Sequence, residues 1–188
     1  MTSLALLGKG IAHSRSPEIY RRLLGPGVKY ALLDHAQSAD IPPLEEIFRG
    51  LDGLSITAPY KKHFLSSVQV MPEAQGLDAI NCVRRSQDGF QATNTDYLAM
   101  GTVYRQLESQ SGPFKAMAIL GDGSMAKITE IFFQRSSLPY VKFSRRTVPE
   151  LDRVDLAQAL GTGPALVINT CAREYVFAGK LPKQCIFW

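Results

Sequence analysis

Short apolar runs alternate with helix-spaced stretches along the whole chain, and that alternation limits the fold more than any other feature of the sequence. Leu4 to Gly8 reads as a buried strand, and Ser16-Pro17 opens a helix with Ser16 as N-cap and proline at the first helical position. Val28 to Leu33 reads as a strand, and Pro42-Pro43-Leu-Glu-Glu-Ile-Phe as the start of a second helix. Gly53 to Thr57 is a further strand, followed by a short helix from His63 to Val68. Ala79 to Arg85 and Phe90 to Asn94 flank a Gln87-Asp88-Gly89 turn, a hairpin signal. Tyr97 to Gln110 has a longer helical pattern, broken by Ser111-Gly112-Pro113.

A second cycle follows that break. Lys115 to Leu120 is a strand, and the helix after the next turn carries Met125, Ile128, Ile131 and Phe132 at helical spacing. Tyr140 to Ser144 is a strand, Pro149 to Leu160 a helix, Ala165 to Thr170 a strand, and Cys185 to Trp188 the beginning of another. Strands alternating with helices imply parallel sheets covered on both faces. The expected class is α/β in two domains, residues 1–100 and 101–188.

Composition narrows the function. A 45% hydrophobic content suffices for a real core, and 20% charged residues is ordinary for a globular chain. The net charge of +4 is spread over short pairs such as Arg21-Arg22 and Lys61-Lys62, not concentrated on one helix or tail, which argues against nucleic acid. A mild positive excess suits small carboxylates and phosphates. Cys82, Cys171 and Cys185 are odd in number and show no CxxC spacing, and His13, His35 and His63 show no ligand spacing, so neither a disulfide framework nor a metal site is expected. The apolar run near the N-terminus is too short for a signal peptide and no stretch reaches a membrane span, so the expectation is a soluble, cytoplasmic protein.

Gly121-Asp-Gly123-Ser124-Met-Ala126 fits G-x-G-x-x-[G/A] between a strand and a helix. Gly121 allows the tight turn, Gly123 lets a pyrophosphate approach the backbone, and Ala126 permits close helix–strand packing, with the helix N-terminus facing the phosphate charge. An NAD site presents an acid about 20 residues past the first glycine. Here that strand ends in Ser144-Arg145-Arg146-Thr147, and two guanidiniums suit a 2′-phosphate, which favours NADP over NAD. A solvated basic loop is the plainer alternative.

In the N-terminal half, Ser14 and Ser16 lie where a strand gives way to a helix, and both hydroxyls could bind a carboxylate, although capping by Ser16 would also explain them. Thr57-Ala-Pro59-Tyr-Lys61 puts a lysine just past a strand end, where α/β folds hold ligands. Asn94-Thr95-Asp96 precedes a helical run, and Asp96 would serve there as an N-cap.

The order of these segments resembles shikimate dehydrogenase across nearly the whole chain. Gly10 to Pro17 looks like that family's carboxylate loop, and Gly53 to Lys61 like its Asn-Val-Thr-x-Pro-x-Lys signature. Asp78-Ala-Ile-Asn81-Cys82 parallels its Gly-Ala-x-Asn-Thr stretch, and Thr93 to Tyr97 its Asn-Thr-Asp motif. Gly121 to Ala126 matches its glycine-rich turn, Ser144 to Thr147 its Asn-Arg-Thr clamp, and Val167 to Thr170 its Ile-Asn-Ala-Thr strand end. The resemblance implies an N-terminal substrate domain, a Rossmann-like NADP domain and reversible reduction of 3-dehydroshikimate with NADPH. It makes Lys61 and Asp96 the catalytic pair. Ser14 and Ser16 would hold the substrate carboxylate, and Thr57, Asn81 and Asp96 the ring hydroxyls. Gly121, Gly123, Ser124, Ala126, Arg145, Arg146 and Thr147 would bind the cofactor. Serine at position 16 favours shikimate over quinate.

The chain departs from the pattern in places. Ser124 replaces a glycine, Arg145 an asparagine, and the segment from Thr147 to Leu166 has little room for a third strand with both flanking helices. Relatives continue where this sequence stops, so the second domain is expected to be incomplete at its C-terminus, with an open sheet edge near Trp188 that a homodimer or a partner chain would cover. Three readings stay open: an active dehydrogenase, a protein that binds NADP or a shikimate-like acid without turnover, and an unrelated α/β interaction module.

Overall fold

The computed structural model describes residues 1–172 and 174–188. The chain divides into two compact units, Met1–Thr95 and Asp96–Trp188. No helix among the described residues is long and apolar enough to cross a membrane.

The first unit contains β1 (Ser3–Gly8), α1 (Ser16–Leu24), β2 (Lys29–Asp34), the single turn α2 (Leu44–Ile47), β3 (Gly53–Ile56), the short β4 (Gln69–Val70), β5 (Cys82–Ser86) and β6 (Gly89–Thr93). They form one six-stranded sheet ordered β2-β1-β3-β5-β6-β4. β1 runs parallel to both β2 and β3, with Leu6 opposite Leu32 on one side and Ser55 on the other. Ala5 and Leu7 are fully buried, as befits the inner strand of a parallel set. The expected hairpin forms with Val83 opposite Ala92. Leu7, Leu44, Leu54, Ile80 and Val83 pack with Phe48, Phe64 and Phe90 into one core.

Two local expectations are corrected here. The stretch over residues 63–68 forms only a 3-10 turn, at Leu65–Ser67, not a helix. Ser16 is not the N-cap of α1: the cap position falls on Arg15, and the Ser14 hydroxyl accepts the Ser16 N–H at 3.2 Å. Ser14 reaches forward to the first turn, which leaves Ser16 inside the helix with its hydroxyl accepting from the Ser14 hydroxyl (3.1 Å).

The second unit is built from α3 (Thr95–Ser111), β7 (Ala116–Leu120), α4 (Ser124–Arg135), β8 (Val141–Phe143), α5 (Leu156–Leu160), β9 (Ala165–Asn169) and β10 (Cys185–Phe187). Its four-stranded sheet is ordered β10-β9-β7-β8 and is parallel throughout. In a full dinucleotide-binding sheet of order 3-2-1-4-5-6, these strands take places 5, 4, 1 and 2. Among the described residues no strand lies outside β8. Ala118, Ile119, Leu120, Leu166 and Val167 are fully buried, as the inner strands β7 and β9 require. Phe132 and Phe133 of α4 pack with Tyr104 of α3 on one face.

The helix expected over residues 149–160 is broken in two, a 3-10 turn at Leu151–Arg153 and then α5. Asp155 caps α5 by accepting the Gln158 N–H at 2.9 Å, while the Leu156 and Ala157 N–H groups both donate to the Lys180 carbonyl (2.9 and 3.2 Å). Val154, between the two pieces, leaves the helical region (φ −57°, ψ 137°), and the start of α5 is tied to a residue far along the chain, which the local helical pattern could not anticipate.

Candidate functional site

Each unit has a cavity at the C-terminal ends of its central parallel strands, where α/β sheets place ligands. In the first unit this cavity, about 390 Å³, is lined by Lys9, Ile11, His13, Ser14, Ser16 and Thr57 with Leu6 and Ala58. The loop after β1 is fixed by Asp34 at the end of β2, whose carboxylate accepts the N–H groups of Gly10 (2.8 Å) and Ile11 (3.0 Å). Gly8 has no alternative: a Cβ there would meet Ile11 Cγ2 at 2.5 Å and Thr57 Cγ2 at 2.6 Å. That close approach brings Thr57, whose N–H donates to the Leu7 carbonyl at 2.9 Å, beside the serines. Three hydroxyls on one open surface, with Lys9 at its rim, make a site for an anion.

Asn81 and Lys61 lie outside that lining. The Lys61 carbonyl accepts the Ile80 N–H at 2.8 Å, which ties the turn after β3 to the strand end before β5, and Tyr60 anchors the same turn by donating to the His35 carbonyl at 2.7 Å. Both Lys61 and Asn81 are partly buried. Asn81 is held by its backbone N–H, which donates to Thr93 O at 3.1 Å, and its side-chain oxygen accepts from the Thr95 N–H (2.7 Å) and hydroxyl (3.1 Å). Helix α3 starts at Thr95, so Asp96 lies within its first turn and is partly buried.

The cavity of the second unit, about 350 Å³, sits between the ends of β7 and β9, with Gly121, Asp122, Gly123, Arg145 and Arg146 on one side and Thr170 and Cys171 on the other. Gly121 has φ +116°, and a Cβ there would strike the Thr170 hydroxyl at 2.5 Å, so the position demands glycine twice over. The Thr170 hydroxyl donates to the Leu120 carbonyl at 2.7 Å and locks the two strand ends together. A Cβ at Gly123 would meet nothing within 4 Å, so its peptide faces open space. Gly123 caps α4 without a side-chain hydrogen bond, leaving the first-turn N–H groups for an outside acceptor. Ala126 is fully buried. Ser124 and Thr147 are exposed and do not line the cavity; the Thr147 hydroxyl instead accepts the Ser144 N–H at 3.0 Å and shapes the turn that presents Arg145 and Arg146. An open glycine peptide, a helix N-terminus and two guanidiniums form a donor set that fits a phosphorylated dinucleotide.

Charges around the glycine turn are paired in a way that motif reading did not foresee. The Asp122 carboxylate lies 3.2 Å from the Arg146 guanidinium and 3.4 Å from the Lys142 ammonium, which also contacts Glu130 at 2.8 Å. The Glu130 hydrogen bond, above all, holds the Lys142 pKa above its usual value. Burial pushes the Cys171 thiol pKa up, with Arg145 pulling the other way. Asp34 and Asp122 carry no motif signal of their own, and Thr170 shows only as the end of a strand pattern: each acts through a partner more than 20 positions away in sequence.

Residues 6–83 match the model of the shikimate dehydrogenase substrate binding domain. A shikimate dehydrogenase (NADP(+)) from Caldicellulosiruptor saccharolyticus is 30% identical over 156 residues, covering 78% of this chain and 55% of the relative. Its counterpart from Caldicellulosiruptor bescii is 27% identical over 163 residues, covering 82% of this chain and 56% of the relative. The chain therefore spans about half the length of the curated relatives it matches. A crystal structure of shikimate 5-dehydrogenase from Thermus thermophilus in complex with NADP(H) and shikimate is 25% identical, with a TM-score of 0.63 over 91% of this chain and 69% of that one.

Proposed function

We propose that the chain is a member of the shikimate dehydrogenase family and that it catalyses the reversible, NADP-dependent interconversion of 3-dehydroshikimate and shikimate. The observation that carries this reading is the first cavity: Ser14 from the loop after β1, Ser16 from the start of α1 and Thr57 from just past β3 open onto one surface. The relatives' names and the ligands of the Thermus structure support the choice of acid and cofactor. The first unit serves as the substrate domain and the second as the dinucleotide domain.

In this reading Ser14 and Ser16 bind the substrate carboxylate, and Thr57 and Asn81 bind ring hydroxyls. NADPH, when bound, supplies the hydride. Lys61 hydrogen-bonds the ketone oxygen, stabilises the negative charge that develops there and hands it a proton. Asp96 orients the lysine ammonium by a charge-assisted hydrogen bond. Gly121 and Gly123 let the backbone approach the pyrophosphate, and Arg145 and Arg146 meet the 2′-phosphate. The same reading assigns the protein to aromatic amino acid biosynthesis in the cytoplasm, a setting that the three free cysteines suit.

The test is absorbance in the NADPH band with purified protein, shikimate and NADP, run beside quinate and NAD. Lys61→Ala is expected to cut turnover by about 10²–10⁴-fold while NADP affinity stays within about twofold by titration. Wild-type turnover in that variant would sink the Lys61 role. Absence of turnover in the parent, with shikimate or NADP still raising the melting temperature, would point instead to a binding protein that lacks the chemistry.

A further inference from the structure

The glycine turn of the second unit carries an acid where it must receive an anion. Asp122 follows Gly121 directly, lines the cavity, and touches two cations, Arg146 at 3.2 Å and Lys142 at 3.4 Å. Lys142 is already engaged by Glu130 at 2.8 Å, so it has no need of Asp122. Within this group two carboxylates face two cations, and the local charge sums to zero. Arg146 is one of the two cations that the NADP reading assigns to the 2′-phosphate, beside Arg145, and its side chain is 86% exposed. A carboxylate seated on that guanidinium occupies the charge a phosphate would use and repels the phosphate as well.

We infer that Asp122 is a specificity-determining residue that weakens the preference of this site for NADP over NAD, by holding Arg146 with its own carboxylate. The inference rests on the dinucleotide reading of the second unit. Asp122 acts on the 2′-phosphate because that group brings further negative charge to Arg146, whereas the 2′-hydroxyl of NAD brings none. Exposed ion pairs are weak and solvent-screened, so the effect is a moderate one. Removing the charge should tighten NADP about threefold to tenfold, the size expected for one screened like-charge contact and one released cation.

Titration calorimetry on the full chain at fixed low ionic strength, with NADP⁺ and NAD⁺ as the probes, tests this. Asp122→Asn keeps the side-chain shape and leaves Lys142 on Glu130; Asp122→Ser serves as a second variant, and melting temperatures check that both fold. The expected result is tighter NADP⁺ binding in both variants, with NAD⁺ unchanged within about twofold or weaker. In an Arg146→Ala background the gain should vanish. Unchanged or weaker NADP⁺ binding in the variants, an equal gain for NAD⁺, or a gain that survives the loss of Arg146 would each overturn the inference while leaving the dinucleotide reading intact. If the parent and both variants bind neither nucleotide, the dinucleotide reading falls and this inference falls with it.

Discussion

In the first unit the loop that faces the cavity is held by side chains; in the second, the equivalent turn is held by the lack of one. After β1, the Asp34 carboxylate accepts two backbone N–H groups and Gly8 yields space to Ile11 and Thr57. After β7, Gly121 takes a φ that other residues resist, and Thr170 closes over it. The two cavities present different chemistry in consequence. The first offers hydroxyls, which choose ligands by hydrogen-bond pattern; the second offers backbone N–H groups and guanidiniums, which choose by charge. Specificity in the first is therefore set by which side chains are present, and in the second by how their charges are already paired.

The largest expected effect belongs to the second unit. Gly121→Ala forces a strained φ and a contact with Thr170, and should destabilise by about 2–4 kcal/mol and abolish nucleotide binding. The single tryptophan, Trp188, lies in this unit, so urea unfolding followed by its fluorescence reads the loss directly. Gly8→Ala should cost the first unit less, about 1–3 kcal/mol, because the new Cβ meets side-chain methyls of Ile11 and Thr57 and no strained φ is added. Its loss should appear in far-UV circular dichroism before it appears in tryptophan fluorescence. If both probes move together in both variants, the units unfold as one cooperative block and the contrast between them loses its thermodynamic meaning.

Asn81→Asp separates binding from stability. The new carboxylate keeps an acceptor for Thr95, so the melting temperature should fall by no more than a few degrees, about 1 kcal/mol or less. The donors are gone, however, and shikimate should bind at least about tenfold more weakly by calorimetry. Equal affinity would remove Asn81 from the site.

The smallest effect concerns pH. Tyr104 and Tyr175, both in the second unit, have phenol pKa values pushed up to about 12, chiefly by burial, with Glu108 adding to the rise at Tyr104 and Cys171 at Tyr175. A raised folded pKa favours the neutral form, so this contribution to stability is intact below pH 10 and fades between pH 10 and 12. Absorbance of tyrosinate should therefore rise in two steps, with the later step coinciding with loss of the Trp188 signal. A single step near pH 10 with the fold intact would contradict it.

Much of this arrangement is legible in the sequence because the signals are local. The strands Ala-Met-Ala-Ile-Leu of β7 and Ala-Leu-Val-Ile-Asn of β9 announce themselves by composition, and Gly121-x-Gly123 by the backbone it permits. What escapes is set by distant partners. β4 is two residues long and exists only through its pairing with β6. The helix expected over residues 149–160 yields to bonds from Lys180. Asp122 looks like an arbitrary filler of a motif until folding delivers Lys142 and Arg146 beside it. The spacing of Ser14 and Ser16 is visible in the sequence, but which of the two satisfies the helix N-terminus is not, since that depends on the backbone angles of Arg15.

The amide of Asn81 has one more consequence. Its oxygen is committed to Thr95, so the group it can turn toward a ligand is NH₂ alone. A pure donor can meet the lone pair of a hydroxyl but cannot take its proton, so any hydroxyl held there must find its own acceptor elsewhere.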